Sequence, residues 1–307
     1  MSVELGGDII DKLLRAGEVV FDVLSRAVDI VEEGVEVAAI CKELEEAIAK
    51  KGARPAFPVN VSINDVAAHY TAAPGDKMVI PPRSVVKIDV GAHVDGYIAD
   101  SAVTVVLDRT FEPLARAAYE ALRAAMKSLR HGIRLGAVGA IIEREIKLRG
   151  FKPISNLSGH KIERYDLHAG KSVPNVASFN LSRAVRGEVY AVEPFSTNGE
   201  GLVVEGGWSN IYRVVSTRRT GSRELDNLLS NIWSEFRGLP FASRWVAERW
   251  GDRALDLLRT LERKRRVYHY RVLVERGGGY VAQFEDTVIV QENGALPLVG
   301  VSKLVKG

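Results

Sequence analysis

The 307-residue sequence predicts an α+β fold built from two duplicated halves, with a helical segment inserted late in the second. Three observations predict it. Helix-spaced and strand-like stretches follow one another in the same order twice. The interval from Gly34 to Gly52 equals that from Gly132 to Gly150, and Gly52-Ala-Arg-Pro55 matches Gly150-Phe-Lys-Pro153. The run RSVVKID ends on Asp89 much as GEVYAVE ends on Glu193.

The elements follow in chain order. Residues 8–33 place Ile9, Leu13, Val19, Val20, Val23, Leu24 and Val28 at helical spacing, and Gly34 is the expected stop. A second helix over 36–51 ends at Gly52. A strand is expected over 57–64. Two more, 84–91 and 97–107, are joined by a short turn near Asp95-Gly96. The order then repeats: a helix over 111–131 ended by Gly132, a helix over 136–149 ended by Gly150, and an extended stretch ISNLSG in the place of FPVNVS. Residues 222–262 break the scheme and read as helical, with Leu225, Leu228, Leu229, Ile232 and Phe236 followed by Trp245, Leu255, Leu257, Leu258 and Leu261. Strands over 280–290 and 297–304 finish the chain. Two such halves pack their strands into one sheet with helices outside, and the crease between them is where a site is expected.

Composition bounds the function class. An apolar fraction of 46% supports a sizeable core, and 26% charged residues is ordinary for a soluble protein. The net charge of +3 is spread out; its densest run, Arg263-Lys264-Arg265-Arg266, reads as a solvated helix end, with weak contact to RNA or a ribosome surface as the lesser reading. The single cysteine, Cys41, excludes a disulfide framework and suits a reducing compartment. The N-terminus has no signal-like apolar block, and no run is long enough to span a membrane. A cytoplasmic monomer with no DNA or membrane partner is expected. Only two glutamines, Gln283 and Gln291, beside abundant Arg, Glu and Val suit a hot environment.

Five residues stand out chemically. Asp89 lies in VVKIDVGA, Asp100 in GYIADSAV on the next strand, His160 in NLSGH, Glu193 at the end of VYAVE, and Glu285 in YVAQFEDTVIV. An ionised carboxylate in an apolar strand is costly unless paired or bound to metal. One such residue alone reads as an edge-strand or ion-paired group. Four with one imidazole suit a pair of divalent ions such as Mn, Fe or Co, close enough to activate one water together. His69 and His168 sit in marked contexts, AAHYT and DLHAGK, and read equally as structural or functional. His93, His131 and His269 read as surface or satisfied residues.

In this order, the blocks VKIDVGAHVDGYIADSA, NLSGHKIERYDLHAGKSVP, EVYAVEPFST and VAQFEDTVIV resemble the metal-binding blocks of methionine aminopeptidases of type 2. The resemblance implies the pita-bread (creatinase/aminopeptidase) fold with pseudo-two-fold halves, one catalytic domain over 1–307, and an inserted helical subdomain near 205–270. It implies two divalent ions per chain, Co, Mn or Fe foremost and Zn or Ni as further candidates. Asp100 and Glu285 would bridge them, Asp89 would hold one, and His160 with Glu193 the other.

The implied reaction removes the initiator methionine from nascent polypeptide N-termini, preferring a small second residue. Glu193 would be the base. His168 would contact the scissile carbonyl, and His69 would donate to the tetrahedral intermediate and match the histidine that fumagillin-type inhibitors alkylate. Phe57, His69, Leu167, His168 and Tyr270 would surround the methionine. The long interval from Glu193 to Glu285 favours type 2 and argues against the prolidase relatives, whose last two glutamates lie close together. The start of the chain resembles archaeal members. Pro194 after Glu193, and YRVLVERGGG without a proline after the tyrosine, depart from the family at the pocket edges. The alternatives are a prolidase-type Xaa-Pro peptidase and a non-catalytic pita-bread protein that binds RNA or protein.

Overall fold

Each half of the chain begins with a helix pair, because each carries two amphipathic stretches separated by a glycine stop. The computed structural model describes residues 5–305, so the ends of the expected 1–307 domain lie outside the described residues. Helices α1 (Gly7–Ile30) and α2 (Val37–Lys50) open the first half, and α3 (Glu112–Ser128) and α4 (Leu135–Lys147) open the second. Gly52 and Gly150 follow α2 and α4 at φ +76° and +82°, and a Cβ on either would meet nothing. Their requirement is the left-handed backbone that ends a helix, which glycine adopts without strain.

The strands repeat too. In the first half, Val85–Val94 pairs antiparallel with Asn60–Ile63, with Arg54–Pro55 and with Tyr97–Val106. In the second, Val189–Val192 pairs with Ser158–Ile162 and Asp286–Val290, and the continuing Phe195–Thr197 pairs with Lys152–Pro153 and Val281–Gln283. The registers coincide: Pro55 faces Ala92, three residues past Asp89, and Pro153 faces Ser196, three residues past Glu193. The duplication predicted from glycine spacing is thus present in the hydrogen-bond ladder, and it is the pita-bread arrangement.

The apolar faces explain the layers. Val19, Val20, Val23 and Leu24 of α1, Ile40 and Leu44 of α2, Leu122 of α3 and Ile142 of α4 are all fully buried or nearly so. They share one core with Val86, Ile88 and Val90 of the first sheet. Helices therefore cover the outside, and the strands' other faces turn toward the crease. At about 25 cal/mol per Å² of apolar surface removed from water, such side chains each contribute roughly 1.5–3 kcal/mol.

Three features differ from the sequence reading. Residues 297–304 are not a strand. After a short pairing at Ala295–Pro297 the chain wraps the buried Asp286 carboxylate, which accepts the N–H groups of Val299, Gly300 and Val301 at 2.8–3.1 Å. A 3-10 turn over Val301–Lys303 follows. The stretch 280–290 is two strands, broken at Phe284-Glu285. Two long strands, Val203–Val214 and Val267–Glu275, were not anticipated. They form the stem from which α5 (Arg223–Phe236), α6 (Ser243–Trp250) and α7 (Arg253–Arg263) hang. Those helices have a separate core around Leu225, Ile232, Phe236, Trp245, Leu258 and Leu261. No described helix is long and apolar enough to cross a membrane.

Candidate active site

Hydrogen bonds between the halves bring the acidic residues together. Glu285 exchanges backbone bonds with Ala102, at 3.0 and 3.4 Å. Thr287 Oγ1 accepts the Asp100 N–H at 2.8 Å and donates to the Asp100 carbonyl at 2.6 Å. The Ser101 hydroxyl donates to the Glu285 carbonyl. His160 stands opposite Ala191, just before Glu193, in the second half's ladder. Residues far apart in sequence are thereby held on adjoining strands, at the break where Glu285 leaves the ladder.

The result is a compact acidic cluster. Asp100, His160 and Glu285 each offer a ligand atom within 4.8 Å of the others. Asp100 and Glu285 are only 3% and 2% exposed. His160 Nε2 lies 3.6 Å from Asp100 Oδ2 and 3.5 Å from Glu193 Oε1. Those gaps are too long for hydrogen bonds and resemble neighbouring ligands around a cation about 2.1 Å from each. Asp89 completes the group from the cavity wall.

Electrostatics argue the same way. Burial, and then the mutual repulsion of the carboxylates, push Asp100 and Glu285 well above the usual range. Glu193 is pushed up by burial and then by Asp89, and burial raises Asp89 to about 7. Asp89 Oδ1, Asp100 Oδ1, Glu285 Oε1 and His160 Nδ1 are buried without a hydrogen-bond partner. Unpartnered buried carboxylate oxygens cost free energy that a cation offsets. The donor set, four carboxylates and one imidazole, fits hard or borderline divalent ions.

All ten residues singled out from the sequence line one cavity of about 240 Å³: Phe57, His69, Leu167, His168 and Tyr270 along with Asp89, Asp100, His160, Glu193 and Glu285. Phe57 and Leu167 are buried in one apolar cluster at its wall. Tyr270 meets His69 edge-on, 5.3 Å between ring centres. His168 is open to the crease, 4.3 Å from the His160 ring centre. Burial in the surrounding protein holds its imidazole down to about pKa 4.

His69 is held by a backbone contact. Its Nδ1 lies 3.0 Å from the Arg271 carbonyl oxygen. A carbonyl only accepts, so Nδ1 carries the proton and Nε2 keeps a lone pair. Burial holds the ring's pKa below its usual value, which favours that neutral form. As folded, the ring offers an acceptor; donation to a tetrahedral intermediate requires a second proton. Its φ of +68° shows a backbone held in the left-handed region, tolerated at functional positions when surrounding structure enforces it.

Sequence reasoning missed Asn60, Ile211, Pro240 and the site role of Gln283, which also line the cavity. Gln283 Nε2 donates to Glu285 Oε2 at 3.0 Å and so orients that carboxylate. Its rarity in this glutamine-poor chain was the available signal. Ile211 and Pro240 carried none, because both come from the stem and the helical segment.

Comparison with known proteins agrees with this geometry. The model of metallopeptidase family M24 matches residues 11–292. The methionine aminopeptidase of Pyrococcus horikoshii is 44% identical over 286 residues, covering 92% of this chain and 97% of its own. That of Methanothermobacter thermautotrophicus is 41% identical over 290 residues, covering 93% and 97%. Among solved structures, the methionine aminopeptidase of Thermotoga maritima superposes with a TM-score of 0.70 at 23% identity, over 97% of this chain and 99% of its own. A thermophilic Arx1 reaches 0.83 at 17% identity, over 99% and 95%. At those identities the structural likeness concerns the fold alone. From its ladder, its acidic cluster and these relatives, the chain belongs to metallopeptidase family M24.

Proposed function

We propose that this chain hydrolyses the first peptide bond of polypeptides that begin with methionine, with a preference for a small second residue. Nascent chain N-termini are the substrates. What supports this reading above all is that the acidic cluster and the apolar residues Phe57, Leu167 and Tyr270 line one small cavity. A flexible, polarizable thioether side chain suits such a wall.

Asp89, Asp100, His160, Glu193 and Glu285 would hold two divalent ions. Ions bound there supply a Lewis acid and lower the pKa of water, so that a nucleophile exists near neutral pH. Glu193 takes a proton from the attacking water and passes it to the amine that leaves when the C–N bond breaks. His168 orients the scissile carbonyl. His69 accepts the N–H of that same amide with its free lone pair. The substrate's free amine seats beside Asp89, which restricts cleavage to the first residue.

The type 2 form is part of this proposal. It is supported by the helical segment of about 205–270, lying between Glu193 and Glu285 with its own core.

Purified protein supplied with Co, Mn or Fe is expected to release Met from Met-Ala-Ser, to leave the acetylated peptide intact, and to stop on chelation. Glu193→Gln should abolish release; full activity in that variant removes Glu193 from the mechanism. Faster hydrolysis of Xaa-Pro dipeptides than of Met-Ala-Ser would instead assign the prolidase-type reaction.

A further inference from the structure

A second space opens directly outside the catalytic crease, a groove of about 700 Å³. Three stretches of chain line the two in succession. In one loop Tyr165 and Asp166 border the groove, and Leu167 and His168 the crease. Along the stem, Ile211 borders the crease and Arg213 the groove; after α5, Arg237 and Gly238 border the groove and Pro240 the crease. The charge of Arg213 is felt by both His168 and Tyr270. Groove and crease therefore adjoin along the same three stretches of chain.

The groove is strongly basic. Arg164, Arg213, Arg218 and Arg237 face a single carboxylate, Asp166, which already accepts the His168 N–H at 3.2 Å. An adjoining recess adds Arg219 and Arg223. Its carboxylate, Asp226, is taken by the N–H and hydroxyl of Thr220, at 2.6 and 2.7 Å. Several neighbouring arginines outside the groove are ion-paired, as Arg253 is with Glu224, Arg249 with Glu235 and Arg271 with Glu205. Arg213, Arg218, Arg219, Arg223 and Arg237 form no ion pair among the described residues. The distant run 263–266 closes on the same place: Arg266 donates to the carbonyls of Arg218 and Arg219, at 2.7 and 3.2 Å, and braces that loop. Arg237 sits at φ +54° where α5 ends, a backbone that glycine holds more cheaply.

We propose that this groove is a subsite for acidic side chains of the substrate beyond its second residue, so that methionine is removed fastest from acidic N-termini. The inference rests on the aminopeptidase reading, since the chain leaving the crease is what crosses the groove. A groove bordered by the same three stretches of chain as the crease favours a peptide occupant over a nucleic acid.

The test compares kcat/KM for Met-Ala-Ser, Met-Ala-Ser-Asp-Glu-Glu-Asp and Met-Ala-Ser-Lys-Gly-Lys-Lys. Solvent-facing charge pairs alter binding a few-fold each. The acidic peptide should lead the basic one by about tenfold at low salt, and the ratio should shrink toward one at high salt. Arg218→Gln/Arg219→Gln and Arg237→Gly should each reduce the ratio at least threefold while Met-Ala-Ser, with only two residues past the scissile bond, is released at the wild-type rate. Arg237→Gly should at the same time raise Tm by about 2 °C, a combination that mere structural damage does not produce. If Met-Ala-Ser itself is not cleaved, the aminopeptidase reading fails and takes this one with it. If it is cleaved but both long peptides are equal, the subsite is overturned. Loss of binding to a fluorescent single-stranded RNA in the double variant, with equal peptide rates, overturns it too and assigns the surface to RNA.

Discussion

At the scale of single residues, the site depends on what is missing as much as on what is present. Gly91 lies two positions past Asp89, and a Cβ there would overlap the Phe57 ring. The glycine thus lets an aromatic ring lie over the strand that carries the first carboxylate. Gly91→Ala should push Phe57 into the cavity proposed to hold the methionine side chain. We expect KM for Met-Ala-Ser to rise about tenfold with a smaller change in kcat, since uniform binding is what is lost; an unchanged KM would detach Phe57 from the pocket. The five acidic and imidazole groups were legible only as a set, because one carboxylate in an apolar stretch reads as an edge-strand or ion-paired group while four with one imidazole suit divalent ions. Their orienting partners, Gln283 and Thr287, were not. A polar residue near a strand end has many ordinary explanations, and only the fold shows what it faces.

At the scale of elements, α4 shows how a helix is placed by the absence of side chains. A Cβ on Gly139 would overlap the carbonyl oxygens of Pro174 and Val176, so the helix lies directly on backbone. Gly139→Ala gains up to about 1 kcal/mol of helix propensity and loses more to overpacking, which typically costs about 1–3 kcal/mol. We expect net destabilisation of about 1–2 kcal/mol by urea unfolding. The control Gly7→Ala meets open space and should not destabilise. The helices of both halves were readable because their apolar stripes are regular. The stem strands were not, because bulges interrupt their pairing between Glu205 and Trp208 and again before Tyr212. Bulges break the alternation that signals a strand. The expected strand 297–304 failed for the opposite reason: its apolar residues are buried, yet the Asp286 side chain takes the N–H groups that a ladder would use.

At the scale of the whole molecule, a buried carboxylate helps fasten the helical segment to the first half. Glu45 of α2 pairs with Arg244 of α6, accepts the Trp245 Nε1–H at 2.7 Å and accepts the Val59 N–H at 3.0 Å. Arg244 also donates to Thr71 Oγ1 and the Ala72 carbonyl, at 2.9 and 3.1 Å. Burial raises the Glu45 carboxyl even with the guanidinium beside it, so the pair specifies docking more than it adds stability. Glu45→Ala strands a buried charge and should cost about 3 kcal/mol. Glu45→Met/Arg244→Met should recover most of that loss, and failure to recover would mean that the contact to Trp245 carries the joint.

The chain's own pattern determined the duplication, the helix ends and the identity of the acidic cluster, because periodicity, glycine stops and charges set in apolar strands are local properties. Tertiary structure alone decided that the halves interlock through Ala102–Glu285 and Asp100–Thr287, that His69 Nδ1 faces the Arg271 carbonyl, and that Arg266 braces the loop of Arg218 and Arg219 beside the groove. Each depends on a partner distant in sequence, and no local regularity encodes which distant group a side chain or backbone amide will face.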